Sequence, residues 1–166
     1  ESSNQPIKII KVNQKVEFKS GEKFISIEPS KLSLDIDFQL KFQNKIIGNQ
    51  QNRIKVYEDD LTDIFNSRTF CLYEDIETIK KNGLAKGGSL ENAIVIKNGS
   101  ILNSEFDDQT NYFAKHKTLD ILGDLSLMNF NIIGKISVYY PGHELNRLGM
   151  LEIFSSFSNY SIYQYN

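Results

Sequence analysis

His116, Asp120 and Asp124 recur every fourth residue through residues 112–125, a stretch otherwise dominated by Phe113, Leu119, Ile121, Leu122 and Leu125. Four residues turn a helix by about 400°, so each polar head drifts only about 40° from the one before, and the three form a ladder on one flank. The apolar residues, with Met128, cover a broad arc, which predicts a buried helix. A carboxylate against apolar neighbours is costly unless it is paired, hydrogen-bonded or bound to a metal. A histidine and an aspartate one turn apart can ligate a single zinc ion from one side, and a carboxylate one turn further can orient another catalytic group. The plain alternative is a core histidine satisfied by a neighbouring acid, with Asp124 on a solvated edge. The spacing is short and common, and taken alone it favours that alternative.

Only one other histidine exists, His143, just after Pro141-Gly142, where a strand ends and a helix begins. Loop positions on a rigid scaffold are where catalytic side chains concentrate. A histidine there can protonate a leaving amine or stabilise an oxyanion, and Asp124 is its natural orienting partner. Lys117 lies about 100° round the helix from His116, off the ladder, where it can reach a phosphate or sugar or simply be solvated. Thr69 and Phe70 offer a hydroxyl and a ring to a pocket, or plain packing. Gly87-Gly88 allows close backbone approach to a ligand, as any tight turn does. Phe70, Ile76, Leu90, Ala93 and Val95 can line an apolar channel or be ordinary core.

The elements that must position these groups alternate in a readable way. Residues 7–12, 15–19 and 24–27 read as strands, with a hairpin turn at Ser20-Gly21-Glu22-Lys23. Residues 32–42 form the strongest period-2 run, a long strand with one face on the core. Residues 44–51 are mostly polar and read as a loop before a strand at 53–57, so the first third is expected to be an antiparallel sheet. Asp59-Asp60 caps a short helix through Phe65, and residues 73–79 form another, ending at Asn82-Gly83. A glycine-centred turn at 84–90 precedes a buried strand at 92–96, and Lys97-Asn98-Gly99-Ser100 turns into Ile101-Leu102. Asp107, Asp108 and Thr110 are start signals for the long helix. A strand follows at 132–140, then a last helix from about Glu144, and the tail after Phe157 is expected to fray.

The chain has 166 residues, 40% hydrophobic and 24% charged, which fits one soluble domain with a real core. A net charge of −2 gives no basic footprint for nucleic acid and no polybasic membrane segment. No run is long enough for a transmembrane span, and no charged-then-apolar leader is present. With the lone Cys71 these features predict a cytoplasmic protein. Glu1 in place of Met is expected of a fragment of a longer chain.

Taken in order, Arg68-Thr69-Phe70, Asp75-Ile76-Glu77, Gly83-Leu84-Ala85-Lys86-Gly87-Gly88-Ser89-Leu90-Glu91-Asn92-Ala93-Ile94-Val95, His116-Lys117-Thr118-Leu119-Asp120-Ile121-Leu122-Gly123-Asp124-Leu125 and Gly142-His143-Glu144-Leu145-Asn146 resemble the second half of the UDP-3-O-acyl-N-acetylglucosamine deacetylase family, LpxC. The resemblance is strong from Arg68 to Asn146 and extends in pattern from Glu1. It implies a zinc amidase that removes the N-acetyl group from UDP-3-O-acyl-N-acetylglucosamine in lipid A biosynthesis. His116 and Asp120 match zinc ligands, and Asp124 and His143 match the pair that holds the oxyanion and protonates the amine. Thr69 matches a hydroxyl that polarises the carbonyl, and Lys117 a substrate contact. Residues of about 70–96 match an insert forming an apolar acyl tunnel, in which Phe70, Ile76, Gly88, Ser89, Leu90, Ala93 and Val95 are expected to contact substrate. Asn111-Tyr112-Phe113-Ala114-Lys115 and Pro141-Gly142-His143-Glu144 depart from the family's usual Asp-Glu-Phe-Val-Arg and Ser-Gly-His-Ala.

The resemblance further implies an α+β two-layer sandwich, a mixed, mainly antiparallel sheet packed on two helices, with a β-α-β insert. Residues 1–166 would be the C-terminal domain of a two-domain enzyme. A third zinc ligand, a histidine, and the glutamate base come from the family's N-terminal half, and no matching segment is present. That N-terminal domain is the expected partner, and the isolated chain is expected to be inactive. Two alternatives stay open: a non-catalytic acyl-ligand-binding or interaction domain, and a self-sufficient zinc site with His143 as third ligand.

Overall fold

The computed structural model describes residues 6–103, 110–140 and 142–165, so Glu1, Asp107, Asp108 and Pro141 lie outside the described residues. Strands β1 (Ile7–Val12), β2 (Val16–Ser20), β3 (Lys23–Glu28), β4 (Leu34–Lys41) and β5 (Asn49–Lys55) come first. A short helix α1 (Thr62–Phe65) leads to β6 (Thr69–Leu72), a 3-10 turn, α2 (Ile76–Lys81), β7 (Ala93–Lys97) and β8 (Ser100–Ile101). Then come α3 (Tyr112–Ser126), β9 (Asn131–Tyr139), α4 (His143–Phe154) and β10 (Tyr160–Tyr165).

The large sheet has seven strands joined through β9, which runs parallel to β1 and β4 and antiparallel to β3. β10, β2 and β5 add antiparallel to β1, β3 and β4. The first third is therefore not a self-contained antiparallel sheet: β1 and β4 find their partner more than a hundred residues or nearly so downstream. Strict alternation drives the layering. Leu34, Ile36, Phe38 and Leu40 of β4, and Ile132, Ile136 and Val138 of β9, are buried on one face beneath the helices. α3 lies over β4 and β5, α4 over β2 and β3, and the two helices pack on each other. This is the expected two-layer α+β sandwich. The expected β-α-β unit is present as a second sheet, with β6 parallel to β7 and β8 antiparallel to it.

Two local expectations are corrected. Residues 49–51 are strand rather than loop, because their polar side chains have work on both faces: Gln51 donates to Asp37, while Gln50 accepts from the Ala114 N–H at 3.0 Å. That bond satisfies one of the orphan donors in the first turn of α3, so this helix is capped from β5 and not by its own Asn111 or Thr110 side chain. The tail does not fray. Asn159 is buried, its carbonyl accepts from the Asn13 N–H at 2.8 Å, and its amide donates to the Glu152 carbonyl, which anchors β10 on β1.

The α4–β3 contact is close because of Gly149. A Cβ there would sit 2.5 Å from Ile25 Cγ2. A methyl on a β-branched side chain cannot swing away without changing χ1. Gly149→Ala is expected to destabilise the chain by about 1–3 kcal/mol despite its better helix propensity. Gly123→Ala, where a Cβ meets nothing within 4 Å, is expected to stabilise by about 1 kcal/mol. Urea midpoints for both variants check the contrast.

Candidate functional site

α3 carries the ladder as the spacing requires. His116 is buried, and Asp120 and Asp124 are half-buried on the same flank. His116 Nδ1 lies 3.3 Å from the Ser67 carbonyl, just before β6. A carbonyl only accepts, so Nδ1 carries the hydrogen and Nε2 of the neutral ring is left with its lone pair. Nε2 faces Asp120 Oδ1 at 3.4 Å. Burial pushes the pKa of His116 below the ordinary histidine value, with the charge of Asp120 opposing it. The neutral ring is thus the favoured form, and two acceptors face each other with no proton between them. Two ligands of a tetrahedral ion at about 2.0–2.1 Å stand roughly 3.3–3.4 Å apart, so the pair suits a shared cation. Among the described residues no three His, Cys, Asp or Glu side chains converge on one point, and the Nδ1 of His143 faces Asp124.

Lys117 is not excluded from the ladder, as its angular offset suggested. Its long stem brings Nζ to 2.8 Å from Asp120 Oδ2 and 5.5 Å from the centre of the Phe70 ring. It offsets the charge of the carboxylate oxygen that faces away from His116. Phe70 itself packs edge-on against Phe113 at 4.8 Å and His116 at 6.3 Å between ring centres. The start of β6 and the first turns of α3 are thereby held together, while Thr69, exposed at the first position of β6, alternates onto the strand face opposite Phe70.

The second pair sits one turn along. His143 opens α4, and its Nδ1 is 3.0 Å from both carboxylate oxygens of Asp124. Asn146 donates from Nδ2 to Asp124 Oδ2 at 2.8 Å and is 1% exposed. Asn146 is the residue that the sequence reading passed over. Its signal was available: a polar residue three places after His143 on the buried face of α4. With Asp124 held from below by Asn146, the carboxylate orients the imidazole, whose Nε2 is left to face outward from an exposed ring.

The expected acyl-contact residues are divided by the small sheet. Phe70 pairs with Ile94, so their side chains share the face packed on the main core, whereas Ala93 and Val95 alternate onto the opposite face with Thr69 and Cys71. Ile76 is half-buried on α2, and Gly88, Ser89 and Leu90 lie exposed in the turn beyond it. Asn92 and Asn103 hold that turn: the Ser89 N–H donates to Asn92 Oδ1, and Asn103 Nδ2 donates to the carbonyls of Leu90 and Ala93.

The family described as UDP-3-O-acyl N-acetylglycosamine deacetylase (LpxC) matches residues 1–155. The chain is similar to the UDP-3-O-acyl-N-acetylglucosamine deacetylase of Campylobacter hominis, 40% identical over 156 residues, covering 93% of this chain and 53% of the relative. It is 38% identical over 146 residues to that of Nautilia profundicola, covering 86% and 49%. With the enzyme of Wolinella succinogenes it shares 36% over 165 residues, covering 97% and 54%. The chain thus spans about half the length of the curated relatives it matches.

Proposed function

The chain belongs to the UDP-3-O-acyl N-acetylglycosamine deacetylase family, and from that premise we propose that it is the C-terminal domain of a two-domain, zinc-dependent cytoplasmic deacetylase. Its substrate is UDP-3-O-acyl-N-acetylglucosamine and its role lies in lipid A biosynthesis. The observation that carries this reading is the pair of facing acceptors, His116 Nε2 and Asp120 Oδ1, 3.4 Å apart on a histidine whose charged form burial disfavours.

His116 and Asp120 would hold the zinc. When bound, zinc polarises the amide carbonyl and activates water for attack. The remaining chemistry falls to the chain's own side chains. Asp124 fixes His143 through Nδ1, so that Nε2 delivers a proton to the departing glucosamine nitrogen and steadies the developing oxyanion. Thr69, exposed at the start of β6, would donate its hydroxyl to the scissile carbonyl. Lys117 keeps Asp120 compensated and borders the substrate beside Phe70. The β6–α2–β7 unit contributes the acyl path: Phe70 on its core face, Ala93 and Val95 on the other, and Ile76, Gly88, Ser89 and Leu90 at its outer end. The third zinc ligand and the general base come from the N-terminal domain.

The test is turnover. With zinc added, this chain alone is expected to deacetylate UDP-3-O-acyl-N-acetylglucosamine negligibly, and a protein of the relatives' full length is expected to turn it over. Full-rate hydrolysis by residues 1–166 alone would overturn the two-domain reading.

A further inference from the structure

Residues 80–90, Lys-Lys-Asn-Gly-Leu-Ala-Lys-Gly-Gly-Ser-Leu, hold three lysines and no acid, in a chain whose net charge is −2. The run is too short to register as a polybasic segment in the sequence; the fold is what concentrates it. α2 ends at Lys81, and the chain then reverses through Gly83 at φ +73° and Ala85 at φ +50°. Leu84, held between these two left-handed residues, is 61% exposed, and Leu90 is 49% exposed. Lys80, Lys81 and Lys86 are exposed and meet no carboxylate within 4 Å among the described residues. By contrast, Lys15, Lys19, Lys55, Lys115 and Lys117 each have one within 3.5 Å. Glu77 and Glu91 bracket the run at its two ends, so the positive charge is confined to the tip.

The geometry points to a peripheral docking tip for an anionic lipid surface. Unpaired cations alternating with exposed leucines ask for a partner that rewards both. A polyanion such as nucleic acid compensates the lysines and leaves the leucines in water. An anionic bilayer takes both: its phosphates accept from the ammonium groups while Leu84, the more exposed leucine, enters the boundary between head groups and acyl chains. The attachment is superficial, since no helix among the described residues is long and apolar enough to cross a membrane. The inference shares only Leu90 with the proposed acyl path; it stands on Lys80, Lys81, Lys86 and Leu84, and its test leaves Leu90 unchanged.

Sedimentation of the intact protein with vesicles tests it. Binding is expected with phosphatidylcholine vesicles holding about one third phosphatidylglycerol, is absent with pure phosphatidylcholine, and is released by about half-molar salt. Combined Lys80→Glu, Lys81→Glu and Lys86→Glu lowers the partition coefficient by about 100-fold or more. Leu84→Ser, which leaves the charge alone, lowers it by about fivefold to tenfold. The same charge change at exposed positions of the large sheet and its connections, Lys8→Glu with Lys23→Glu and Lys31→Glu, leaves most of the binding. Equal loss in that remote variant, indifference to Leu84→Ser, or no sedimentation with the anionic vesicles would each overturn the proposal.

Discussion

His143→Ala in the full-length enzyme lowers deacetylation of UDP-3-O-acyl-N-acetylglucosamine by roughly 10²–10⁴-fold and leaves zinc affinity in place. The expectation follows from position. His143 is the exposed partner of a clamped carboxylate: its Nδ1 meets both oxygens of Asp124, and Asn146 holds that carboxylate from the buried side. On the proposed reading it moves a proton and does not hold the ion. The loss should appear in kcat with KM little changed, because a proton reaching the leaving nitrogen is needed only in the transition state. Zinc content after dialysis, measured beside the rates, decides between this and the alternative with His143 as a ligand. A variant that loses its metal along with its activity would sink the assignment.

His116→Ala takes the opposite course, lowering zinc affinity by more than about 100-fold and activity with it. Removing a partner outside the ligand set already costs 10–100-fold, so removing a ligand costs more. The pH dependence has a defined sign. Burial holds the pKa of His116 below its usual value, so the neutral, ligand-competent ring survives to lower pH than a free imidazole would, and zinc is released as the pH falls through that depressed pKa. In the metal-free protein the unfolded chain takes up the proton first. Stability contributed by the neutral ring is therefore complete above the ordinary histidine value of about 6.5 and is lost as the pH falls below it towards the folded value. Competition titrations against a chelator across this range check the first statement, and urea midpoints of the metal-free protein over the same pH values check the second, each on the native protein and on His116→Ala. Zinc affinity in the variant equal to the native value would remove His116 from the site.

Much of the scaffold was legible because its signals are local. The alternation of β4 and the apolar arc of α3 each declare a buried face within their own residues, and the four-residue advance from His116 to Asp120 and on to Asp124 needs only helical geometry. What was missed depends on partners distant in the chain. Gln50 reads as a loop residue until α3 is laid over it. The tail looks frayed until Asn159 is seen pinned between β1 and α4. The angle of the Lys117 Cα sets it off the ladder, but a four-carbon stem reaches across that angle to Asp120. Ser67 supplies a backbone carbonyl, which any residue type would offer, so no pattern marks it. Asn146 alone among these carried a visible mark, an amide on the apolar side of α4 one turn after His143.

β9 ties β1, β3 and β4 into one sheet, yet it is residues 131–139 of the chain. During synthesis, at about 5–20 residues per second, three strands leave the ribosome well before the strand that unites them. Until residue 139 has emerged, the strands of the large sheet have only the β2–β3 and β4–β5 hairpins to form, a long interval in which their bare edges are prone to pair wrongly. A translation stop anywhere upstream of β9 should thus yield no partly working sandwich, only a substrate for chaperones and proteases.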